Sequence, residues 1–161
     1  MSDGDYLASG ADSSYTAQVA ALVKALENQM ADLTAQTGNY ETDYGSSVKN
    51  LGWTQDDPAT KGVNEGAWNF GDLNTAAGRS FQNQQDDFAG RGLLESSLYG
   101  TANDNLTRSL NDQLGGINTG RTKFLGDIAR QRTGFQDENN SAVQQARAEA
   151  IQRRAAQAAM I

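Results

Sequence analysis

Eight residues late in the chain, Leu110, Leu114, Ile117, Arg121, Phe124, Ile128, Gln131 and Phe135, succeed one another at steps of 4, 3, 4, 3, 4, 3 and 4. Those steps put all eight on one stripe of an α-helix, whereas the period of two in a strand would scatter them over both faces. Sustained without a slip, the pattern is that of a coiled-coil seam, about 40 Å long if the helix is continuous. Two seam members, Arg121 and Gln131, are polar; such groups weaken a seam but make it selective for register and neighbour.

A second stripe lies near the start. Tyr15, Val19, Leu22, Leu26, Met30 and Leu33 are 4, 3, 4, 4 and 3 apart, and the phase continues through Thr37, Tyr40, Tyr44, Val48 and Leu51. Asp12, Ser13 or Ser14 can cap the start. Gly38 and Gly45 interrupt the row, so the spacing predicts a helix to about residue 36, within an amphipathic region spanning 14–51. Residues 1–13 are rich in Gly, Ser and Asp without periodicity and read as a flexible leader.

The composition limits what these stripes can hold together. The 13 Leu, 4 Ile, 5 Val and 5 Phe make up about 17% of the 161 residues, under the rough 20% level where disorder becomes a concern, which leaves either substantial disorder or extended helices that borrow their core from partners. Much of the remaining apolar content is alanine, which favours helix but buries little area. Gly115, Gly116, Gly120, Gly126 and Gly134 lie in or beside the late seam, each costing about 1 kcal/mol relative to alanine in a helix interior. A solitary helix would not carry that load. The expectation is an all-α fold of elongated helices with coiled-coil-like packing and Gly-rich connectors, stabilised by oligomeric assembly. Gly115-Gly116 leaves open a break into a hairpin.

Residues 52–72 contain four glycines and the single proline, Pro58, and read as a connector, with Asp57-Pro58 suited to start one short helical turn. Trp53, Trp68 and Phe70 sit in it; they either anchor the connector onto the helices or fill a pocket on a neighbouring subunit. From 73 to 138 the pattern is helix, turn, long helix, with Leu73, Ala77, Phe81 and Phe88 on one side of the first helix. Gly92 suits a left-handed helix end after Arg91, and Ser96 or Ser97 can cap the long helix. Asn139-Asn140 reads as a break, and Ser141 to Gln144 as the capping box of an Ala/Arg-rich helix over 139–161.

Chemistry is constrained by what is missing. With no Cys and no His, thiol nucleophiles, imidazole bases and zinc fingers have no residues to use. No phosphate-binding loop or calcium loop is spelled out, and no carboxylate pair is placed in an apolar cleft, so neither catalysis nor cofactor, metal or small-molecule substrate binding is expected. The net charge of −7 is concentrated in residues 1–78, with 3 Lys/Arg against 11 Asp/Glu, which disfavours general nucleic-acid binding. No apolar run approaches a membrane span, and the acidic start is unlike a secretion signal.

The run Phe88-Ala89-Gly90-Arg91-Gly92-Leu93-Leu94-Glu95-Ser96-Ser97-Leu98-Tyr99, leading into Arg/Gln-rich helix, resembles small helical virion proteins of tailed bacteriophages. In those an aromatic, an Arg-Gly-Leu turn and a Ser-Ser pair precede a long helix. The likeness covers about residues 75–158. It implies a structural subunit of the tail, tail tip or head-to-tail junction, located in the virion, with copies of itself and other virion proteins as partners. A coiled-coil adaptor or assembly chaperone that leaves before the particle is complete has the same physics. A secreted helical hairpin of the Trp-x-Gly type shares size and acidity, but Trp53-Thr54-Gln55 and Trp68-Asn69-Phe70 lack its glycine.

Overall fold

The computed structural model describes residues 2–54 and 68–160, and among these it contains four helices and no strand. They are α1 (Asp3–Ala8), α2 (Ser13–Leu51), α3 (Ala76–Gly90) and α4 (Ser97–Ala159). The all-α expectation holds, with long helices packing on one another. Asp57 and Pro58 lie outside the described residues.

Both long helices outrun the sequence reading. α2 passes through Gly38 and Gly45 for 39 residues, and α4 runs unbroken for 63 through Gly115-Gly116 and through Asn139 to Ser141. A Cβ added at Gly38, Gly45, Gly115 or Gly116 would meet nothing within 4 Å, so no close contact requires a glycine at these positions. Their cost is one of propensity alone, and burial of the stripes offsets it. Residues 3–8, expected to be flexible, form α1 instead. Ser2 and Asp5 make a reciprocal capping box, in which Asp5 N–H donates to Ser2 Oγ (3.1 Å) and Ser2 N–H to Asp5 Oδ2 (3.3 Å).

The chain divides into two compact units, Met1–Thr37 with Gly126–Ile161, and Gly38–Leu125. In the central unit the core is one cluster of Tyr44, Val48, Leu51, Trp53, Trp68, Ala77, Leu110 and Leu114. α2 ends there in a Schellman motif. Gly52, at φ +112°, donates to Lys49 O (3.1 Å) and Trp53 N–H to Val48 O (3.2 Å). A Cβ on Gly52 would stand 2.7 Å from that of Ala77, so the glycine is also what lets the start of α3 come this close.

In the unit formed by the two ends of the chain, residues 13–37 of α2 lie with residues 126–159 of α4. Leu7, Leu33, Ile128, Ala146 and Ala150 are buried. The Ala/Arg-rich C-terminal segment therefore supplies two of the buried residues, Ala146 and Ala150, because a small side chain can be fully covered where helices approach closely.

The turn between α3 and α4 has the predicted chemistry. Gly92 has φ +70°, Gly92 N–H donates to Ala89 O (3.0 Å), and Leu93 N–H reaches back to Phe88 O (2.8 Å). Ser96 Oγ accepts from Tyr99 N–H (3.3 Å) and caps α4 at Ser97. Gly92→Ala should cost about 1 kcal/mol by forcing a Cβ into the left-handed region, and Gly92→Val more. Chemical denaturation of the two variants against wild type measures it; equal stability would mean that the turn does not depend on its glycine.

Candidate functional site

The late seam faces the chain's own α2. Leu110 and Leu114, 2% and 0% exposed, lie in the core cluster with Tyr44, Val48 and Leu51, and Ile117 packs partly buried beside them. Further along, Arg121 Nε donates to both oxygens of Glu41 (3.0 and 3.2 Å) while its guanidinium lies 5.0 Å from the Tyr44 ring centroid. Tyr44 Oη donates to Asn118 Oδ1 (2.7 Å), and Phe124 stacks on Tyr40 at 4.1 Å, nearly parallel. These are register contacts, since a shift by one helical turn would break the ion pair, the hydrogen bond and the stack together.

The expectation that other subunits must cover this row is therefore corrected from Leu110 to Phe124. Its partner is the continuation of the N-terminal row in the same chain, from Tyr40 to Leu51, whose rings and apolar side chains have the matching period. In the other unit Ile128 is buried, Phe135 is half-buried, and Gln131 is exposed, so Gln131 is no part of a dry seam. Of the N-terminal stripe from Tyr15 to Leu33 only Leu33 is buried; Tyr15, Val19, Leu22, Leu26 and Met30 stay half-covered.

Of the two readings of Trp53, Trp68 and Phe70, the structure takes the first: they anchor the connector on the chain's own core. Trp53 and Trp68 pack edge to face at 5.1 Å, are 4% and 6% exposed, and are joined by an isolated antiparallel bridge. Trp68 Nε1 donates to Asn111 Oδ1 (2.8 Å), whereas Trp53 Nε1 is buried without a hydrogen-bond partner. Phe70 packs partly buried against the core and tilts onto Phe81 at 5.1 Å. Neither indole offers a surface to another molecule. Leu73, expected on the covered side of α3, precedes that helix and is exposed.

The α3–α4 turn stays open, as do the separate side chains of Val23, Leu73 and Met160. Arg91 and Gly92 are exposed, Arg91 pairs with Asp87 and covers the Phe88 ring, and Phe88 tilts onto Tyr99 at 5.3 Å. Leu94 and Leu98, flanking Ser96 and Ser97, are 40% and 61% exposed. A separate cleft of about 590 Å³ beside the end of α2 is lined by Lys49, Asn50, Thr54, Asn69, Asp72 and Asn74 among others. Among the described residues it offers amides and one charge of each sign, and no acid–base pair. Among the described residues no group of three or more Asp or Glu could hold a metal, and no helix is long and apolar enough to cross a membrane.

One ionic site escaped the sequence reading. Asp12 caps α2, accepting from Tyr15 N–H at Oδ1 (2.9 Å), and also receives Arg153 Nε and Nη2 at Oδ2 (3.2 and 3.0 Å). Arg154 Nη1 donates to Asp3 Oδ1 (2.8 Å) and its guanidinium sits 4.9 Å from the Tyr6 ring centroid. Only the capping role of Asp12 was legible, because nothing in local spacing ties residue 12 to residue 153.

The Tyr15 amide, and after it Arg153, holds the Asp12 carboxyl below the usual carboxylate range against the opposing pull of burial. A lowered folded pKa means stability that is full above the unfolded value, about 3.9, and is lost as pH falls through the folded one. Asp12→Asn keeps a cap but gives up the charge. Thermal melts of the two proteins should differ at pH 7, and the gap should begin to narrow only near the unfolded value of about 3.9 and close below the lower folded one. A pH-independent gap would show that the carboxylate charge contributes nothing.

No family model, no curated protein and no solved structure matches this chain.

Proposed function

We propose that this chain is a non-enzymatic structural subunit of a tailed-phage virion, in the tail, tail tip or neck, and that it assembles by helix packing with copies of itself and neighbouring subunits. The observation that carries the reading is the apolar surface left after the chain has packed. Leu94 and Leu98 protrude at the α3–α4 turn beside the half-covered rings of Phe88 and Tyr99. Apolar area removed from water gains about 25 cal/mol per Å², and the monomer forgoes that gain here. The same residues, 88–99, carry the resemblance to phage virion proteins, so the two lines of support meet on one turn. Leu110 and Leu114 add nothing to it, because the fold of the single chain already consumes them.

Two measurements test it together. Sedimentation velocity over a range of concentrations should show self-association, and quantitative mass spectrometry of purified particles should find the chain at a fixed stoichiometry. A monomer at every concentration that is also missing from particles would sink the proposal. Self-association with absence from particles would favour an assembly factor.

A further inference from the structure

We infer that a second copy of this chain docks antiparallel along α4, with a two-fold axis at Gly134; the inference rests on the self-assembly part of the proposed function. Side chains three, four and seven residues apart share one side of a helix, so Asp127, Arg130, Gly134, Glu138 and Ser141 form a single row on α4. The row reads as its own complement. Arg130 and Glu138 lie four residues before and after Gly134, both exposed, and Asp127 and Ser141 lie seven before and after.

A two-fold axis through residue 134 brings each residue of the row opposite its counterpart in the second copy. Arg130 of each copy then meets Glu138 of the other, and Asp127 meets Ser141, giving two ion pairs and two hydrogen-bonding pairs from one repeated contact. A parallel arrangement would set Arg130 against Arg130 and Glu138 against Glu138, so the charges select the antiparallel one. Within the chain Arg130 is paired with Asp127 of the same helix, one turn away, and Glu138 makes no hydrogen bond or ion pair among the described residues.

Gly134, on the axis itself, leaves room for a probe. A Cβ there would meet nothing within 4 Å, so the fold itself does not need the glycine, and a helix interior disfavours it.

The chain has no cysteine, which makes the axis directly testable. Gly134→Cys introduces one thiol, and on a two-fold axis the two copies of residue 134 fall within disulfide reach. Mild oxidation should convert Gly134→Cys mainly to a covalent dimer with unchanged helicity. Ala129→Cys, exposed but off the row, should remain mostly monomeric. Arg130→Glu and Glu138→Arg should each weaken dimerisation at least tenfold, and carrying both changes should restore it. If wild type self-associates but Gly134→Cys cross-links no better than Ala129→Cys, the axis is refuted while the assembly reading stands. A wild-type chain that stays monomeric refutes both.

Discussion

Gly78→Ala is expected to destabilise the central unit by about 3 kcal/mol, although the same exchange inside most helices is favourable. A Cβ on Gly78 would fall 1.8 Å from the carbonyl oxygen of Asp72 and 2.5 Å from its carbonyl carbon. The obstacle is backbone and cannot swing aside. It is also pinned, because Asp72 O accepts from Thr75 N–H (3.1 Å) and from Thr75 Oγ1 (2.7 Å), and Thr75 Oγ1 in turn accepts from Gly78 N–H (3.0 Å). Relieving the clash therefore means opening the cap of α3, and the adjacent Ala77 is fully buried in the core. Gly38→Ala and Gly115→Ala are the controls. Their added Cβ would meet nothing within 4 Å, and each should gain up to about 1 kcal/mol. Urea unfolding of the three variants decides it: a Gly78→Ala protein as stable as wild type would mean the α3 start is not packed as described.

That contrast also explains which parts of the fold were legible. Sequence shows a glycine's cost but not what stands where its Cβ would be. Gly38 and Gly45 looked like stops and are passengers, whereas Gly52, which looked like an ordinary connector residue, and Gly78, inside a helical stretch, are steric necessities. Periodicity was the reliable signal. The row from Tyr15 to Leu51 and the row from Leu110 to Phe124 were both visible as helix stripes, and the Gly92 turn could be read residue by residue. The pairing of the two rows could not be read from either. It rests on contacts such as Glu41 with Arg121 and Tyr44 with Asn118, between residues 80 and 74 positions apart. A meagre apolar count also pointed too strongly to outside help. Ala77, Ala146 and Ala150 are buried almost completely, which a tally of large side chains does not register. The start was missed for a related reason: Gly, Ser and Asp read as loop, yet Ser2 and Asp5 hold the spacing of a capping box.

The sharpest separation of folding from assembly comes from two leucines of α4 lying on opposite sides of that question. Leu114 is completely covered and belongs to a core cluster that contains only two other leucines, Leu51 and Leu110. Leu114→Ala should therefore cost about 2–5 kcal/mol, the transfer free energy of the lost methyl groups plus a cavity between two long helices that cannot easily close. The Arg121–Glu41 pair and the Tyr40–Phe124 stack hold the register on one side of it, so relaxation by sliding is blocked. Leu98, 61% exposed, has little to lose on folding, and Leu98→Ala should leave the melting midpoint nearly unchanged, within about 0.5 kcal/mol. If the apolar turn is an assembly contact, the order reverses in sedimentation. Leu98→Ala should then weaken association at protein concentrations where the chain is fully helical, while Leu114→Ala acts only through the loss of folded protein. A Leu98→Ala variant that associates like wild type would remove the α3–α4 turn from the assembly surface. A Leu114→Ala variant that melts like wild type would mean that α2 does not cover the late seam, and the question of what else covers it would reopen.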